Sequence, residues 1–307
     1  MSNAAAMRPG RSALPEWVRR LPEYLMIWVP LLLSAAHLIS FSLWTIWISF
    51  TPSTLVPVTG WVGLRNYSAV AASRNWQIAF DNLLLFGISF VVLSAATGLV
   101  LAILLDQRIR GENVLRSIFL YPLAVSFVVT GTVWSWLLNP GLGIQKLVHD
   151  LGWSSFRFDW LIDRDMAIWT IVIAAIWQSS GFAMALFLAG LRSVDGDIVK
   201  AAQIDGAGPV RMYRRIILPS LWPITITVIV IQLQFAISTF DLVRALTNGG
   251  PGIATQLPAL VVYDLMFQRS LLGRGAAAAV LMLLILLAVL LPYAAWRYHQ
   301  RRRATHA

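Results

Sequence analysis

The chain has 307 residues, of which 58% are hydrophobic and only 12% are charged, whereas a soluble domain has about 25% charged residues. This composition excludes an ordinary soluble globular protein and indicates an all-α polytopic membrane protein. Lys and Arg number 24 against 14 Asp and Glu, a net charge of +10, and most of the basic residues lie in short loops and tails, which favours a role in membrane orientation over nucleic-acid binding.

The N-terminal half is predicted to hold a tail and three membrane spans. Residues 1–23 are rich in arginine and predict a cytoplasmic tail. The apolar run 24–50 is too long for the core of a signal peptide, so it predicts the first span. An outer loop at 51–77 follows, and apolar runs predict the second and third spans at 78–105 and 114–138.

Three further spans are predicted in the C-terminal half, at 166–190, 221–243 and 275–295. The loop 139–165 carries aromatic residues and charges of both signs, which suit either a partner surface or an aromatic belt at the membrane interface. Gln178 lies at mid-depth in the fourth span, where lipid offers no hydrogen-bonding partner, so it is expected to face the protein interior or water. A basic tail at 299–307 ends a transmembrane domain predicted at 24–298.

A polar stripe is predicted on the fifth span. Thr227, Gln234, Ser238 and Asp241 are separated by seven, four and three residues, which places them on one face of a continuous helix. Two interpretations remain open: helix–helix hydrogen bonds, worth about 0.6 kcal/mol each in membranes, or, together with Gln178, a substrate pathway with Asp241 as its outer member. Gln232 lies off this stripe and is expected to contact a neighbouring helix.

A polar and basic segment interrupts the apolar sequence between the fourth and fifth spans. Lys200–Pro223 reads KAAQIDGAGPVRMYRRIILPSLWP. The pattern predicts a short helix that begins after Ser193 or Asp195 and ends at Gly206, then a second helix opened by Pro209 and closed by Pro219 and Pro223. A plain solvated loop needs no such construction, so this segment is predicted to be the working part of the protein.

The same segment resembles the EAA loop of the membrane permease subunits of binding-protein-dependent ABC importers. The resemblance rests on Ala201-Ala202, Asp205-Gly206-Ala207, Ile217-Leu218-Pro219 and Pro223. It implies a type I ABC importer permease fold in which residues 193–219 form a cytoplasmic loop with a coupling helix that sits in a cleft of the ATPase. The coupling residues implied are Lys200, Ala201, Ala202, Asp205, Gly206, Ala207, Gly208 and Pro219. The family usually has Glu where this chain has Lys200, so the charge interaction of that Glu is not carried over.

A second motif follows the fifth span. Asn248, Gly249, Gly250 and Pro251 predict a tight turn with unusual backbone angles. They resemble the Gly-Gly-Pro loop of sugar permeases similar to the larger maltose-transport permease, which implies a position on the outer face near the pathway. Segments at 63–67 and 188–191 resemble the same branch.

The distribution of basic residues predicts the orientation. Lys and Arg number 16 on the side that holds both tails and the Lys200 segment, against 8 on the other side. Because cytoplasmic loops carry the excess of basic residues, both termini are predicted to be cytoplasmic.

Several chemistries are excluded by what the sequence lacks. Lys146 and Lys200 are the only lysines, and neither lies in a Walker A motif, so this chain is not expected to bind ATP or to be an enzyme. Zero cysteines and four scattered histidines predict no metal site. No cofactor is therefore expected in this chain, and ATP and Mg²⁺ are expected on the partner ATPase.

The resemblance also implies the partners of a bacterial inner-membrane importer. They are a second homologous permease, two copies of an ABC ATPase and an extracytoplasmic sugar-binding protein, assembled in the lipid bilayer. One alternative is a permease for another small solute such as glycerol phosphate. An alternative from another class is an ion-coupled secondary transporter, for which Asp81, Asp241 and His37 are the available coupling groups.

Overall fold

The computed structural model describes residues 16–107 and 110–305, and this part of the chain is helical without any strand. The α-helices are α1 (Glu16–Ser49), α2 (Arg65–Ala71), α3 (Arg74–Asp106), α4 (Glu112–Ala124), α5 (Phe127–Leu137), α6 (Ile144–Asp150), α7 (Ala167–Arg192), α8 (Gly196–Ile204), α9 (Pro209–Met212), α10 (Leu218–Ser220), α11 (Trp222–Ser238), α12 (Asp241–Leu246), α13 (Pro258–Tyr263) and α14 (Leu272–Thr305). Two π-helical turns occupy Tyr213–Ile217 and Asp264–Gln268.

The number of apolar spans agrees with the sequence analysis. In the described residues, four helical segments are long and apolar enough to cross a membrane: Leu25–Ser49, Arg74–Asp106, Ala167–Arg192 and Leu272–His299. Two further pairs of helices pass the same test together but are bent at a break, by 97° between α4 and α5 and by 64° between Val210–Ser220 and α11. With each bent pair counted as one span, the total is six, as predicted.

The third predicted span is present as two helices joined at a break. α4 ends at Ala124 and α5 begins at Phe127, where the Ser126 Oγ accepts a hydrogen bond from the Val128 N–H at 3.3 Å and caps the new helix. The carbonyl of Val125 is left outside both helices and accepts from Gln178 Nε2 at 2.7 Å. Hydropathy alone does not reveal this break because the apolar residues continue across it; Pro122 and Ser126 are the residues of the sequence that stand beside it.

The fifth predicted span is also interrupted. α11 ends at Ser238, Thr239 is extended, and α12 begins only at Asp241. The Ser238 and Thr239 hydroxyls bond to the carbonyls of Gln234 and Phe235, at 2.9 and 2.6 Å, and such bonds compete with helix continuation. Asp241 is therefore not on the same helix as Thr227, and the prediction of a single helical stripe is wrong at its outer end.

The contacts divide the chain into two compact units, residues 1–47 and 48–307. The described part of the first unit is the α1 helix. In the second unit α3 packs along α7 so closely that a Cβ on Gly98 would lie 2.5 Å from Ala183 Cβ and 2.8 Å from Met184 N, so only glycine fits there. The core of this unit is built from large buried side chains, among them Phe86, Phe90, Ile171, Met184, Phe187 and Leu221.

Both predicted tails merge into helices. In the N-terminal tail predicted at 1–23, residues 1–15 lie outside the described residues, while 16–23 belong to α1. In the C-terminal tail predicted at 299–307, α14 continues to Thr305, and 306–307 lie outside the described residues.

Candidate functional site: the segment between α7 and α11

The first helix of this segment is fixed at its N-terminal end by a side-chain cap. Asp195 Oδ1 accepts a hydrogen bond from the Asp197 N–H at 2.9 Å, and α8 begins at Gly196. Both carboxylates also lie near the positive end of the helix dipole, which favours them there. Of the two predicted starts of the helix, after Ser193 or after Asp195, the structure shows the one after Asp195.

The C-terminal end of α8 is fixed by the backbone of Gly206. Gly206 has a φ of +76°, in the left-handed region that glycine adopts without the penalty other residues incur. The Gly206 N–H donates to Gln203 O at 3.1 Å and the Ala207 N–H donates to Ala202 O at 3.0 Å, which is the Schellman pattern. The predicted end at Gly206 is confirmed, and α8 is a short helix closed at both ends.

The second helix of the segment begins at Pro209 and ends between Pro219 and Pro223, as predicted. The chain stays helical from α9 through the π-helical turn to α10, so Pro219 lies inside its last turn. The break falls at Leu221, and Pro223 occupies the first turn of α11, where a missing N–H is harmless.

Most of the predicted coupling residues are accessible. Lys200, Ala201, Asp205, Gly206 and Gly208 are exposed, whereas Ala202 is buried. The segment also exposes a set of side chains, named here the coupling surface: Ile198, Ile204, Val210, Arg211, Arg214 and Arg215. Ile204 and Val210 are 86% and 81% exposed and offer apolar contact area to a partner. The three arginines line an open cavity of about 500 Å³ next to Gly206 and Gly208.

Lys200, the departure from the family pattern, has a partner in its own helix. Its Nζ lies 2.9 Å from Asp197 Oδ1, and the two side chains are 73% and 84% exposed. An ion pair this exposed contributes little to stability. The charge of Lys200 therefore remains available at the surface.

An ion-pair network ties this segment to α4. Arg192, the last residue of α7, donates from Nη2 to Glu112 Oε1 at 2.7 Å, and Arg116 Nη2 donates to the same oxygen at 2.6 Å. The network joins the start of α4 to the end of α7, three residues before the cap of α8. It connects elements 80 residues apart in the chain.

The residues predicted for the pathway fall into two groups. Gln234, Ser238 and Asp241 are exposed, and the last two line a cavity of about 200 Å³ at the break between α11 and α12. Three aromatic residues that the sequence analysis did not single out, Phe127, Phe235 and Phe240, also line it. Serine is a common N-terminal cap of helices, so Ser126 is the residue that could have indicated a helix start at Phe127.

The other two predicted pathway residues have partners within the protein. Thr227 Oγ1 bonds to Pro223 O at 2.9 Å and lies 3.1 Å from the Tyr293 hydroxyl of α14. Gln178 is 1% exposed and bonds to the Val125 carbonyl at the α4–α5 break. The structure thus separates both from the cavity that holds Ser238 and Asp241.

Gln232, which lies off the predicted stripe, contacts a neighbouring helix. Gln232 is fully buried, and its Nε2 donates to Ser94 Oγ of α3 at 2.6 Å. The prediction of an interhelical contact is confirmed.

The Gly-Gly-Pro segment forms the tight turn that was predicted. Asn248 and Gly249 have φ angles of +53° and +83°, and the Gly250–Pro251 peptide is cis. The buried Thr255 hydroxyl donates to Gly250 O at 2.7 Å and closes the turn. The Asn82 side chain of α3 donates to the carbonyls of Ala254 and Gln256, at 2.9 and 3.0 Å, and holds the loop against the start of that helix.

The sequence matches a known family over most of its length. Residues 94–305 match the family described as "Binding-protein-dependent transport system inner membrane component". A "probable ABC transporter permease protein" of Pyrococcus horikoshii is 37% identical over 91% of this chain and 96% of its own. The trehalose/maltose transport system permease protein MalF of Thermococcus litoralis is 35% identical over 78% of this chain and 82% of its own. The sn-glycerol-3-phosphate transport system permease protein UgpA of Rhizobium meliloti is 32% identical over 71% and 74%.

A solved structure shows the same fold. A chain from the crystal structure of a bacterial ABC transporter involved in the import of the acidic polysaccharide alginate superposes with a TM-score of 0.78, covering 94% of this chain and 97% of that one at 19% identity. This similarity confirms the predicted type I ABC importer permease fold. The chain therefore belongs to the family of binding-protein-dependent transport system inner membrane components, the permease subunits of ABC transporters.

Proposed function

We propose that this chain is one of two permease subunits of an ATP-driven sugar importer in a bacterial inner membrane. The second subunit is a homologous permease, and two copies of a separate ABC ATPase bind on the cytoplasmic side. The observation that carries the proposal is α8, a short helix closed at both ends and flanked by the exposed coupling surface, in a chain whose family is established.

The chemistry of the coupling surface defines the partner that fits it. Ile198, Ile204 and Val210 require an apolar cleft, and Arg211, Arg214 and Arg215 require an acidic rim. Because both ends of α8 are capped, a push from the ATPase displaces the helix as a body instead of unwinding it. The Arg192–Glu112 contact carries the same displacement to α4.

The proposed pathway centres on Gln234, Ser238 and Asp241. Their amide, hydroxyl and carboxylate groups can hydrogen-bond sugar hydroxyls, and the neighbouring Phe127, Phe235 and Phe240 offer apolar faces for the ring. Gln178 and Thr227, which have protein partners in this conformation, are proposed to support the walls.

In the proposed orientation both termini and the 193–219 loop are cytoplasmic. The outer loop Asn248, Gly249, Gly250 and Pro251 then faces an extracytoplasmic sugar-binding protein. ATP and Mg²⁺ act on the ATPase, and this chain needs no cofactor of its own.

The test is to purify the chain with its partner subunits and to measure ATPase activity in the presence of binding protein and candidate solutes. Stimulation by a neutral sugar such as maltose or trehalose supports the proposal. Stimulation by glycerol 3-phosphate alone would instead favour the second candidate function, an importer of phosphorylated polyols, which the similarity to UgpA supports. An ion-coupled secondary transporter is inconsistent with the family of the chain.

A further inference from the structure

The loop between α5 and α7 contains a short helix, α6, with two exposed leucines on one side. α6 has seven residues and is about 10 Å long at 1.5 Å per residue. Leu147 and Leu151 are four residues apart, so they lie one above the other on the same face. They are 60% and 79% exposed, and the half-buried Ile144 and Val148 border them. This face, named here the α6 apolar face, offers two leucine side chains to whatever surrounds it.

The opposite face of α6 is bonded to its own loop. Gln145 Oε1 accepts a hydrogen bond from the Phe158 N–H at 2.6 Å, and His149 Nε2 lies 2.6 Å from Phe156 O. Gln145 and His149 are also four residues apart, on the side of the helix that faces away from the leucines. The loop is therefore held on the polar side of α6, and the α6 apolar face points away from that contact.

An ion pair occupies the face next to the leucines. Lys146 Nζ lies 2.8 Å from Asp150 Oδ2, and both side chains are more than half exposed. Each member of the pair precedes a leucine by one residue, which is about 100° around the helix axis. An apolar face beside a polar, charged one is the pattern of helices that lie in the plane of a membrane surface.

The start of α6 lies against the end of a membrane span. The Gly143 N–H donates to Asn139 O at 2.8 Å, and a Cβ on Gly143 would overlap the Leu137 carbonyl and lie 2.6 Å from Trp136 O, so only glycine allows this approach. α5 ends at Leu137 and forms with α4 one of the bent pairs that are long and apolar enough to cross a membrane. Because α6 is about 10 Å long and starts in contact with this end, all of it lies close to the level at which the span leaves the hydrocarbon.

The exposed side of α5 indicates that lipid surrounds this region. Val129, Val133 and Trp136 are exposed and are separated by four and three residues, so they form one apolar stripe along the helix. The stripe ends at Trp136, whose carbonyl is one of the groups next to Gly143, and indole rings are enriched where spans leave the membrane. The α6 apolar face therefore continues the apolar surface of a span beyond its last turn.

We propose that α6 lies along the membrane surface, with Leu147 and Leu151 inserted among the lipid acyl chains just below the headgroups. The leaflet is the one opposite the coupling segment, because the loop precedes the start of α7, whereas the coupling segment follows the end of this 26-residue span. The Lys146–Asp150 pair then lies at the level of the headgroups. Since the start of α6 is packed on the end of α5, the inserted helix gives that half of the bent span a fixed point on the membrane. The inference rests on the membrane family of the chain and is independent of the solute that it transports.

The experiment measures lipid and water contact at single residues of this cysteine-free chain. Leu147→Cys, Leu151→Cys, Lys146→Cys and Asp150→Cys are each labelled with bimane in the transporter assembled with cysteine-free partner subunits, in phosphatidylcholine nanodiscs. Fluorescence is quenched either by phosphatidylcholine that carries a nitroxide near the head of its acyl chain or by iodide in the water. We expect the ratio of lipid to iodide quenching to be about threefold or more higher at positions 147 and 151 than at 146 and 150, because an interfacial helix buries only its apolar face.

The two charged positions are matched controls. Each lies one residue from a leucine in the same helix, so it shares the depth, the label and the assembly but not the face. The side chains at all four positions are exposed, so the label displaces no packed side chain, and loss of the exposed ion pair has little effect on stability.

The inference is overturned if iodide quenches all four positions equally, or if the lipid nitroxide quenches the leucine positions no more than the charged ones. It is also overturned if positions 147 and 151 are shielded from both quenchers, which would identify another subunit as the occupant. Shielding that arises only after an extracytoplasmic binding protein is added would have the same meaning for that protein. A transporter that no sugar stimulates would refute the proposed function, but the expected quenching pattern would stand.

Discussion

Replacing Gly206 by Val should uncouple transport without preventing membrane insertion. Gly206 has a φ of +76°, and a Cβ placed there meets no atom within 4 Å, so the whole penalty comes from the backbone and none from a clash. A residue with a side chain in this left-handed conformation costs about 1–2 kcal/mol. That penalty lowers the equilibrium ratio of the capped to the uncapped conformer of α8 by a factor of about 5 to 30.

The assay is sugar uptake together with ATPase activity stimulated by binding protein, both normalised to the amount of subunit in the membrane. Gly206→Asn should lose less than Gly206→Val, because Asn tolerates the left-handed region better than other side chains do. Because α8 makes the proposed contact with the ATPase, uptake should fall more than expression.

Two variants supply matched controls. Gly196, at the start of α8, has equally open surroundings and no left-handed φ, so Gly196→Val should be nearly silent. Gly152, with a φ of +101° and open surroundings in the 139–165 loop, places the same kind of strain far from the coupling surface, so Gly152→Val should retain coupling. Normal uptake by Gly206→Val at normal expression, or an equal loss in Gly196→Val, would refute the reasoning.

Three further predictions test orientation, pathway and charge. In this cysteine-free chain, cysteines introduced at Trp153 and Pro251 should be labelled from outside intact cells, and one at Arg211 should not; outside labelling at position 211 would reverse the proposed topology. Gln234→Leu and Asp241→Leu should impair uptake more than Gln232→Leu, which removes one interhelical hydrogen bond worth about 0.6 kcal/mol. Equal uptake in all three variants would show that Gln234 and Asp241 do not line the pathway. Lys200→Glu should be nearly silent in uptake and ATPase coupling, because the exposed pair with Asp197 contributes little; failure of this variant to assemble with its ATPase would show that the acidic rim proposed for the cleft also contacts Lys200.

The parts of the site that depend on neighbouring residues could be predicted from the sequence. Asp195 as a cap, Gly206 as a left-handed helix end and Pro209 as a helix start each act within one helical turn, so residue type alone indicates them. The tight turn at Asn248 and Gly249 was predictable for the same reason.

The parts that depend on distant residues could not be predicted. The break after Ala124 needs Gln178, which lies 53 residues beyond the carbonyl that it binds. Glu112 meets Arg192 across 80 residues of the chain. The prediction that the polar stripe extends to Asp241 was wrong for another reason. Helical periodicity assumes a continuous helix, whereas α11 ends at Ser238, where the hydroxyls of Ser238 and Thr239 bond to backbone carbonyls.

The joint between α4 and α5 has a consequence for the permeability of the membrane. A helix break within the hydrocarbon exposes backbone groups that cost several kcal/mol each if nothing bonds them, and water is the usual remedy. Here the Val125 N–H donates to Pro122 O at 3.1 Å, the Val125 carbonyl is bonded by Gln178, and Ser126 caps the helix that follows. The backbone groups of Val125 are thus bonded by the preceding turn and by a side chain of α7. At this residue the bend therefore offers water no unbonded backbone group through which to enter the span.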